Sequence, residues 1–233
     1  MQNKKTIILG LIAIILLVGV VWYANKNKEE ITNQTASILG IDGENKKVTE
    51  LDGDFIFGDP LAPVTIIEYS SHLCGACSNF HKTTLPLIVE NYVKTGKVRI
   101  IPRLVSHPAL SIAVLCAQEQ GAFWELNNYI FENIETIQAV DDITSAVGLD
   151  QESFDQCYLE KYVNQVMKWL DEGEKPKDCD TNWIPSCQVI KWFEQAEEDE
   201  ADSTPTFLIN GQKIVGSQPY AIFEDAIKSQ LNN

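Results

Sequence analysis

Glu68-Tyr69-Ser70-Ser71-His72-Leu73-Cys74-Gly75-Ala76-Cys77 follows the run Val64-Thr65-Ile66-Ile67, so a β-branched stretch passes through a short polar loop into a Cys-x-x-Cys. The run before the loop has the make-up of a buried strand. After the cysteines, Phe80, Leu85, Leu87, Ile88 and Tyr92 give a helical face interrupted by Pro86. A helix N-terminus gathers free N–H groups and partial positive charge, which favour the thiolate of a cysteine placed there. The pattern therefore predicts a redox-active pair with Cys74 as nucleophile. Glu68 is the anomaly of the strand: it is either a solvated edge residue or a buried proton acceptor for the sulfur chemistry.

Downstream, Gly96 closes the first helical region and Lys97 to Leu104 reads as the next strand. Strand, helix, strand predicts a right-handed parallel crossover. From Ala109 to about Leu170 the pattern is helical. Ala109 to Asn133 carries a nearly continuous apolar face, Asp142 can cap a short helix ending at Gly148, and Asp150 caps another through Phe154, Cys157 and Tyr158. Cys179 and Cys187 flank Pro185, and an acidic helix is expected from about Ile190. Ser203 to Val215 reads as two short strands joined by Asn210-Gly211, a hairpin signal, and Tyr220 to Leu231 as the last helix.

Upstream, Lys4 and Lys5 precede Ile7 to Ala24, an uncharged and mainly aliphatic run long enough to cross a bilayer core. Small residues suited to cleavage are missing at its end, so residues 1–24 are expected to be an uncleaved signal-anchor helix, N-terminus in the cytoplasm, with the rest of the chain extracytoplasmic. Residues 25–50 read as a polar linker, with a short helix expected around Ile31 to Leu39, and residues 51–233 as one domain. Six cysteines in 233 residues fit an oxidising compartment. Acidic residues outnumber basic ones 33 to 18, which disfavours nucleic acid as a partner. No cofactor motif is present. A zinc site built from His72, Cys74, Cys77 and His81 in a non-enzymatic module is the alternative from another class.

Taken together, the strand with Glu68, the Cys74/Cys77 pair, the helical block at about 109–202, then Thr204-Pro205-Thr206-Phe207 and the Asn-Gly hairpin resemble the DsbA-like branch of the thioredoxin fold, especially the membrane-anchored disulfide oxidoreductases of bacteria. Gly58-Asp59-Pro60-Leu61-Ala62-Pro63-Val64 and the stretch from Cys116 to Trp124 add to the likeness, which covers residue 51 to the end. The resemblance implies an α/β thioredoxin fold with an inserted helical subdomain, behind the transmembrane helix. It implies that Cys74 exchanges disulfides with substrate, that Cys77 resolves the mixed disulfide, and that Thr204-Pro205 forms a cis-proline loop facing them. Glu68 falls where the family keeps a buried carboxylate. The implied partners are cysteine-containing extracytoplasmic proteins and a membrane redox partner that reoxidises the pair. Oxidation of folding proteins is the favoured direction, with a reductase or isomerase as the alternative.

Two departures bear on that direction. Gly75-Ala76 places no cationic side chain between the cysteines, and the acidic run Glu194 to Asp202 leads into the Thr-Pro loop, where it is expected to raise the Cys74 pKa. His72 and His81 read as loop or surface histidines. Cys179–Cys187 and Cys116–Cys157 are the expected disulfides, with two separate buried thiols as the alternative for the second pair.

Overall fold

The computed structural model describes residues 26, 41–42, 48–105, 108–137, 140–163, 171 and 185–232. Among the described residues five strands form one mixed sheet in the order β1-β5-β4-β2-β3, with β1 at Ile41–Asp42, β2 at Val64–Ser70, β3 at Val98–Leu104, β4 at Thr206–Ile209 and β5 at Gln212–Val215. β2 and β3 are parallel; the pairs β2–β4, β4–β5 and β1–β5 are antiparallel. Every residue of β2 is buried, as a central strand covered on both faces requires.

Between β2 and β3 run α1, Gly75–Thr83, and α2, Leu85–Ile88, which continues as a π-helical turn over Val89–Val93. Pro86 stands in the first turn of α2, where its missing N–H has no intrahelical partner to lose, and the chain breaks before it at Thr84. After β3 come α3 (Pro108–Glu119), α4 (Phe123–Asn133), α5 (Val140–Ala146), α6 (Gln151–Asp155, running into a π-helical stretch Gln156–Val163) and α7 (Pro185–Glu198); α8, Tyr220–Leu231, closes the chain. The apolar run from Ala109 to Asn133 is thus two helices, parted at Gly121, which takes φ +73. Asp150 caps α6 by accepting from Ser153 N–H at 2.9 Å. Asp142, expected to cap α5, lies inside it, and α7 starts at Pro185 rather than near Ile190: the apolar spacing in each helix is detectable only one turn after the backbone has entered it.

Alternation along β2 sorts the core. Val64 and Ile66 meet Phe80, Leu85, Ile88, Phe207 and Phe223 on the side of α1, α2 and α8. Ile67 and Tyr69 meet Ile101, Leu208 and Ala196 on the side of α7. The inserted helices bury a third cluster around Ile112, Leu115, Phe123, Leu126, Phe154 and Trp192, which also takes in Cys77. Within it Cys116 and Cys157 form a disulfide. Cys187 is disulfide-bonded as well; its expected partner Cys179 lies outside the described residues.

The sheet's outer strands are interrupted. β3 contains Pro102, which has no N–H to offer, and its free edge is met by a single bridge in which Phe57 and Ile100 exchange N–H···O bonds at 2.9 Å. Gly58 takes φ +108 at the next position, where a Cβ would lie 2.9 Å from both Val93 Cγ1 and the Val98 carbonyl. On the other edge, two residues of β1 cover β5. The end of the predicted linker is therefore part of the domain: Ile41–Asp42 pair with β5, Glu50 bonds Arg99, and the Thr49 carbonyl accepts from Arg103. Backbone pairing by so short a segment leaves no periodic trace in the side chains. The expected signal-anchor, Ile7 to Ala24, and the expected helix at Ile31 to Leu39 lie outside the described residues. Among the described residues no helix is long and apolar enough to cross a membrane.

Candidate active site

Cys74 is the N-cap of α1. Its backbone is extended (φ −94, ψ 114), and its sulfur accepts the Cys77 N–H at 3.3 Å, so a thiol stands where a Ser or Asp cap ordinarily would. The loop before it is held by Cys74 N–H donating to the Ser71 carbonyl at 3.0 Å. Both active-site cysteines are free thiols, Cys74 half-buried and Cys77 fully buried. Partial burial opposes ionisation of Cys74. Hydrogen bonding at Cys77 and Thr204, with the backbone N–H groups of Cys77 and Ala76, outweighs it and holds the thiol below its usual range. Cys77 goes the other way: burial first, then its bond to Cys74 and the charge of Glu68, push its thiol up. Identical side chains three residues apart are thereby split into a sulfur that ionises readily and one that keeps its proton.

The Thr204-Pro205 bond is cis. The Cys74 thiol donates to the Thr204 carbonyl at 3.2 Å, so the structure brings together the two motifs separated by 130 residues. The loop is tied back by Gly216 N–H to the Pro205 carbonyl at 2.8 Å and by Thr206 Oγ1 to the Ser203 carbonyl at 2.6 Å. Beside Cys74 opens a cleft of about 550 Å3 whose lining includes Leu73, Asn79, Lys82, Glu132 and Glu135. Leu73 is 60% exposed although it directly precedes Cys74.

Glu68 is fully buried on the central strand, paired across the sheet with Pro102 and Phe207; the solvated-edge alternative is excluded. His81, expected at the surface, is buried with its Nε2 2.8 Å from Glu68 Oε1 and its ring stacked on Phe131 at 3.8 Å. His72 is also buried, its Nε2 2.9 Å from Asn127 Oδ1. Both corrections have one cause: α4 of the insertion packs over α1 and the loop before it, closing a face that would otherwise be wet. Among the described residues no group of three His, Cys, Asp or Glu side chains is placed to hold a metal ion, so the four residues of the zinc alternative do not converge.

The acidic run also differs from expectation. None of its residues is among the main influences on the Cys74 thiol. Asp199 accepts from Tyr69 Oη at 2.5 Å on the opposite face of the sheet, and Glu200 pairs with Lys213. Tyr69 in turn accepts from Arg103 Nη1 at 2.7 Å, and Arg103 Nη2 lies 2.7 Å from Asp54 Oδ2. Asp54 also receives Trp192 Nε1 at 2.8 Å and Gln188 Nε2 at 3.2 Å from α7. This network fixes the helix that leads into the Thr-Pro loop. Its clue was a charged residue, Arg103, inside an apolar strand.

Comparison with known proteins agrees with the geometry. The family model described as Thioredoxin matches residues 50–229. The chain is similar to Na(+)/H(+) antiporter NhaA 3 of Salinispora tropica, 27% identical over 73% of this chain but spanning only 23% of that protein. It is similar to a relative named Probable disulfide bond formation protein D in Bacillus cereus, 23% identical over 91% of each chain. Among solved structures, oxidised BdbD from Bacillus subtilis superposes with a TM-score of 0.64 at 16% identity, covering 82% of this chain and all of that one. With a thiol capping the helix after the central strand, a cis-proline loop against it and a helical insertion in the sheet, the chain belongs to the thioredoxin family and has the DsbA-like form of its fold.

Proposed function

We propose that this protein is an extracytoplasmic thiol:disulfide oxidoreductase, held at the membrane by Ile7 to Ala24, that introduces disulfides into folding proteins through Cys74 and Cys77. The observation that carries the reading is the split between the two thiols: Cys74, half-buried, capping the helix against the Thr204 carbonyl and easily ionised, and Cys77, buried and protonated.

In the oxidised enzyme a substrate thiolate attacks Cys74; the Cys74–Cys77 bond breaks and Cys77 leaves with the electron pair, then takes up a proton. A second substrate thiolate attacks the substrate sulfur of the mixed disulfide, forming the new disulfide and expelling Cys74 as thiolate. Two electrons have then passed to the enzyme. Reoxidation is the reverse exchange with the disulfide of a membrane redox partner, in which Cys77 must lose its proton to Glu68 before closing on Cys74. The Thr204 backbone offers an extended substrate segment a place to pair.

The oxidising direction follows from leaving-group strength, because a stabilised Cys74 thiolate makes its disulfide easier to break. The acidic run is not among the main influences on Cys74, and its Asp199 lies on the far face of the sheet. The test has two parts. Cys77→Ala is expected to accumulate covalent complexes with other proteins at Cys74, and Cys74→Ala is not. Equal trapping by the two variants would overturn the assignment of roles. Equilibration against glutathione should give a potential well above the roughly −270 mV of thioredoxin; a value near that figure would make the protein a reductase.

A further inference from the structure

His81 has no task in the scheme above, yet it is the residue that touches Glu68. Its Nε2 engages Oε1 at 2.8 Å, while Glu68 Oε2 and His81 Nδ1 are buried with no partner among the described atoms. A buried polar atom left without a hydrogen bond costs about 1–3 kcal/mol. A pair kept for stability alone would satisfy all four of its polar atoms; this one leaves a carboxylate oxygen available. Phe131 stacks on the imidazole and Trp124 lies 6.4 Å from it, so the ring cannot swing away. Glu68 acts electrostatically on Cys77, which lies one turn before His81 on α1. On the adjoining strands Glu68 lies opposite Phe207 and Pro102, and the Phe80 ring meets the His81 ring edge-on.

We propose that His81 is the positioning residue for the Cys77 proton: by holding Oε1 it fixes the Glu68 carboxylate and leaves Oε2 as the oxygen that takes the proton. The inference rests on the reading of Cys74 as nucleophile and Cys77 as resolving thiol. In the step concerned, Cys77 S–H passes its proton to Glu68. The resulting thiolate attacks Cys74 Sγ of a mixed disulfide, the Cys74–Cys77 bond forms, and the partner sulfur departs with the electron pair of the broken bond. His81 keeps its contact with Oε1 throughout and touches neither sulfur in the exchange.

The experiment uses the reduced full-length protein and an aromatic disulfide of nitrobenzoate, followed by stopped flow. Attack by Cys74 releases the first coloured thiol, and closure by Cys77 releases the second. His81→Phe keeps a ring on Phe131 and removes the bond to Glu68. It is expected to slow the second phase about tenfold, less than the roughly 10²–10⁴-fold that loss of the proton acceptor itself would produce, while the first phase stays within about twofold. His81→Gln can still donate to Oε1 and is expected to restore most of the second phase, although both variants lose similar thermal stability. Where His81→Phe does not fold, His81→Met fills the space without a donor and serves the same comparison. A second phase unchanged in these donor-less variants, slowing of both phases together, or failure of Gln to restore the second phase overturns the role of His81. If the parent protein itself shows no separate second phase, or loses neither phase on Cys74→Ala, the thiol assignment falls first and the inference with it.

Discussion

Asp54 is where the fold is most exposed to a single substitution. Its carboxylate accepts from Arg103 Nη2 at 2.7 Å, Trp192 Nε1 at 2.8 Å, Leu51 N–H at 2.9 Å and Gln188 Nε2 at 3.2 Å. The Arg103 side chain is fully buried and that of Asp54 is 3% exposed. Removing one partner of such an ion pair leaves a buried uncompensated charge, a loss of about 3–5 kcal/mol. Here Arg103 would retain Tyr69 Oη at 2.7 Å, the Thr49 carbonyl at 2.5 Å and Asp199 at 4.0 Å, which places Asp54→Ala at the lower end, about 3 kcal/mol. For a domain of this size that is a fall in Tm of roughly 6–12 °C. Urea unfolding of the purified protein followed by tryptophan fluorescence measures it directly, since Trp192 reports on the same site. The double variant Asp54→Ala/Arg103→Met removes the stranded charge and should recover part of the loss. A single-variant cost under about 1 kcal/mol, or a double variant worse than the sum of the singles, would refute the account of Arg103 as a buried charge in need of its partner.

Alkylation of the reduced protein should modify Cys74 first, with a pH midpoint below that of a free cysteine, while Cys77 resists until the protein unfolds; mass spectrometry of timed samples checks both. The same shifts act on stability with opposite signs. The depressed Cys74 pKa favours the folded dithiol form above the ordinary thiol pKa and loses that contribution as pH falls through the folded value. The raised Cys77 pKa stabilises below the ordinary value and loses its contribution as pH rises. Glu68→Gln should slow closure by Cys77 more than attack by Cys74, and equal rates for both steps would return Glu68 to a packing role. Cys116→Ala/Cys157→Ala, which opens a bridge between residues 41 apart in sequence, should destabilise by about 4 kcal/mol on the chain-entropy model, read by urea titration under non-reducing conditions. Gly58→Ala should cost more than about 1 kcal/mol, because φ +108 and two contacts at 2.9 Å leave its methyl no accommodation; an unchanged Tm would contradict the bridge at Phe57.

The thiol pair and the proline loop were legible because each is a local pattern: Cys-x-x-Cys after a β-branched run, Thr-Pro before an Asn-Gly hairpin whose two turn residues take φ +46 and φ +94. The fold class followed from their order and from the helical stretch between them. What stayed hidden were pairings that only the packed insertion creates. His81 on its own helix is a polar residue at one position of a face; it is buried because Phe131 arrives from α4, 50 residues later in the sequence. Glu68 allowed two readings because a strand's composition does not say whether it is central or at an edge, and β4 lies more than 130 residues away. The acidic run misled for the opposite reason: proximity in sequence to the proline loop was taken as proximity to Cys74, but Asp199 meets Tyr69 on the α7 side of β2, whereas Cys74 opens the helix that packs on the other side.

The interrupted outer strands bear on the company such an enzyme keeps. On the proposed function the protein handles reduced, unfolded chains and so meets extended segments seeking a backbone partner, which an open sheet edge would recruit indiscriminately. Here Pro102 withholds an N–H on one flank and the Phe57 bridge occupies the neighbouring position, while Ile41–Asp42 take up the other flank. Hydrogen-bonding capacity is thus withdrawn from the rims and kept at the Thr204 backbone, within reach of the reactive sulfur. On that function, a client chain that docks by its backbone is steered to the place where its cysteine can react, and the catalyst is spared becoming a template for its clients' aggregation.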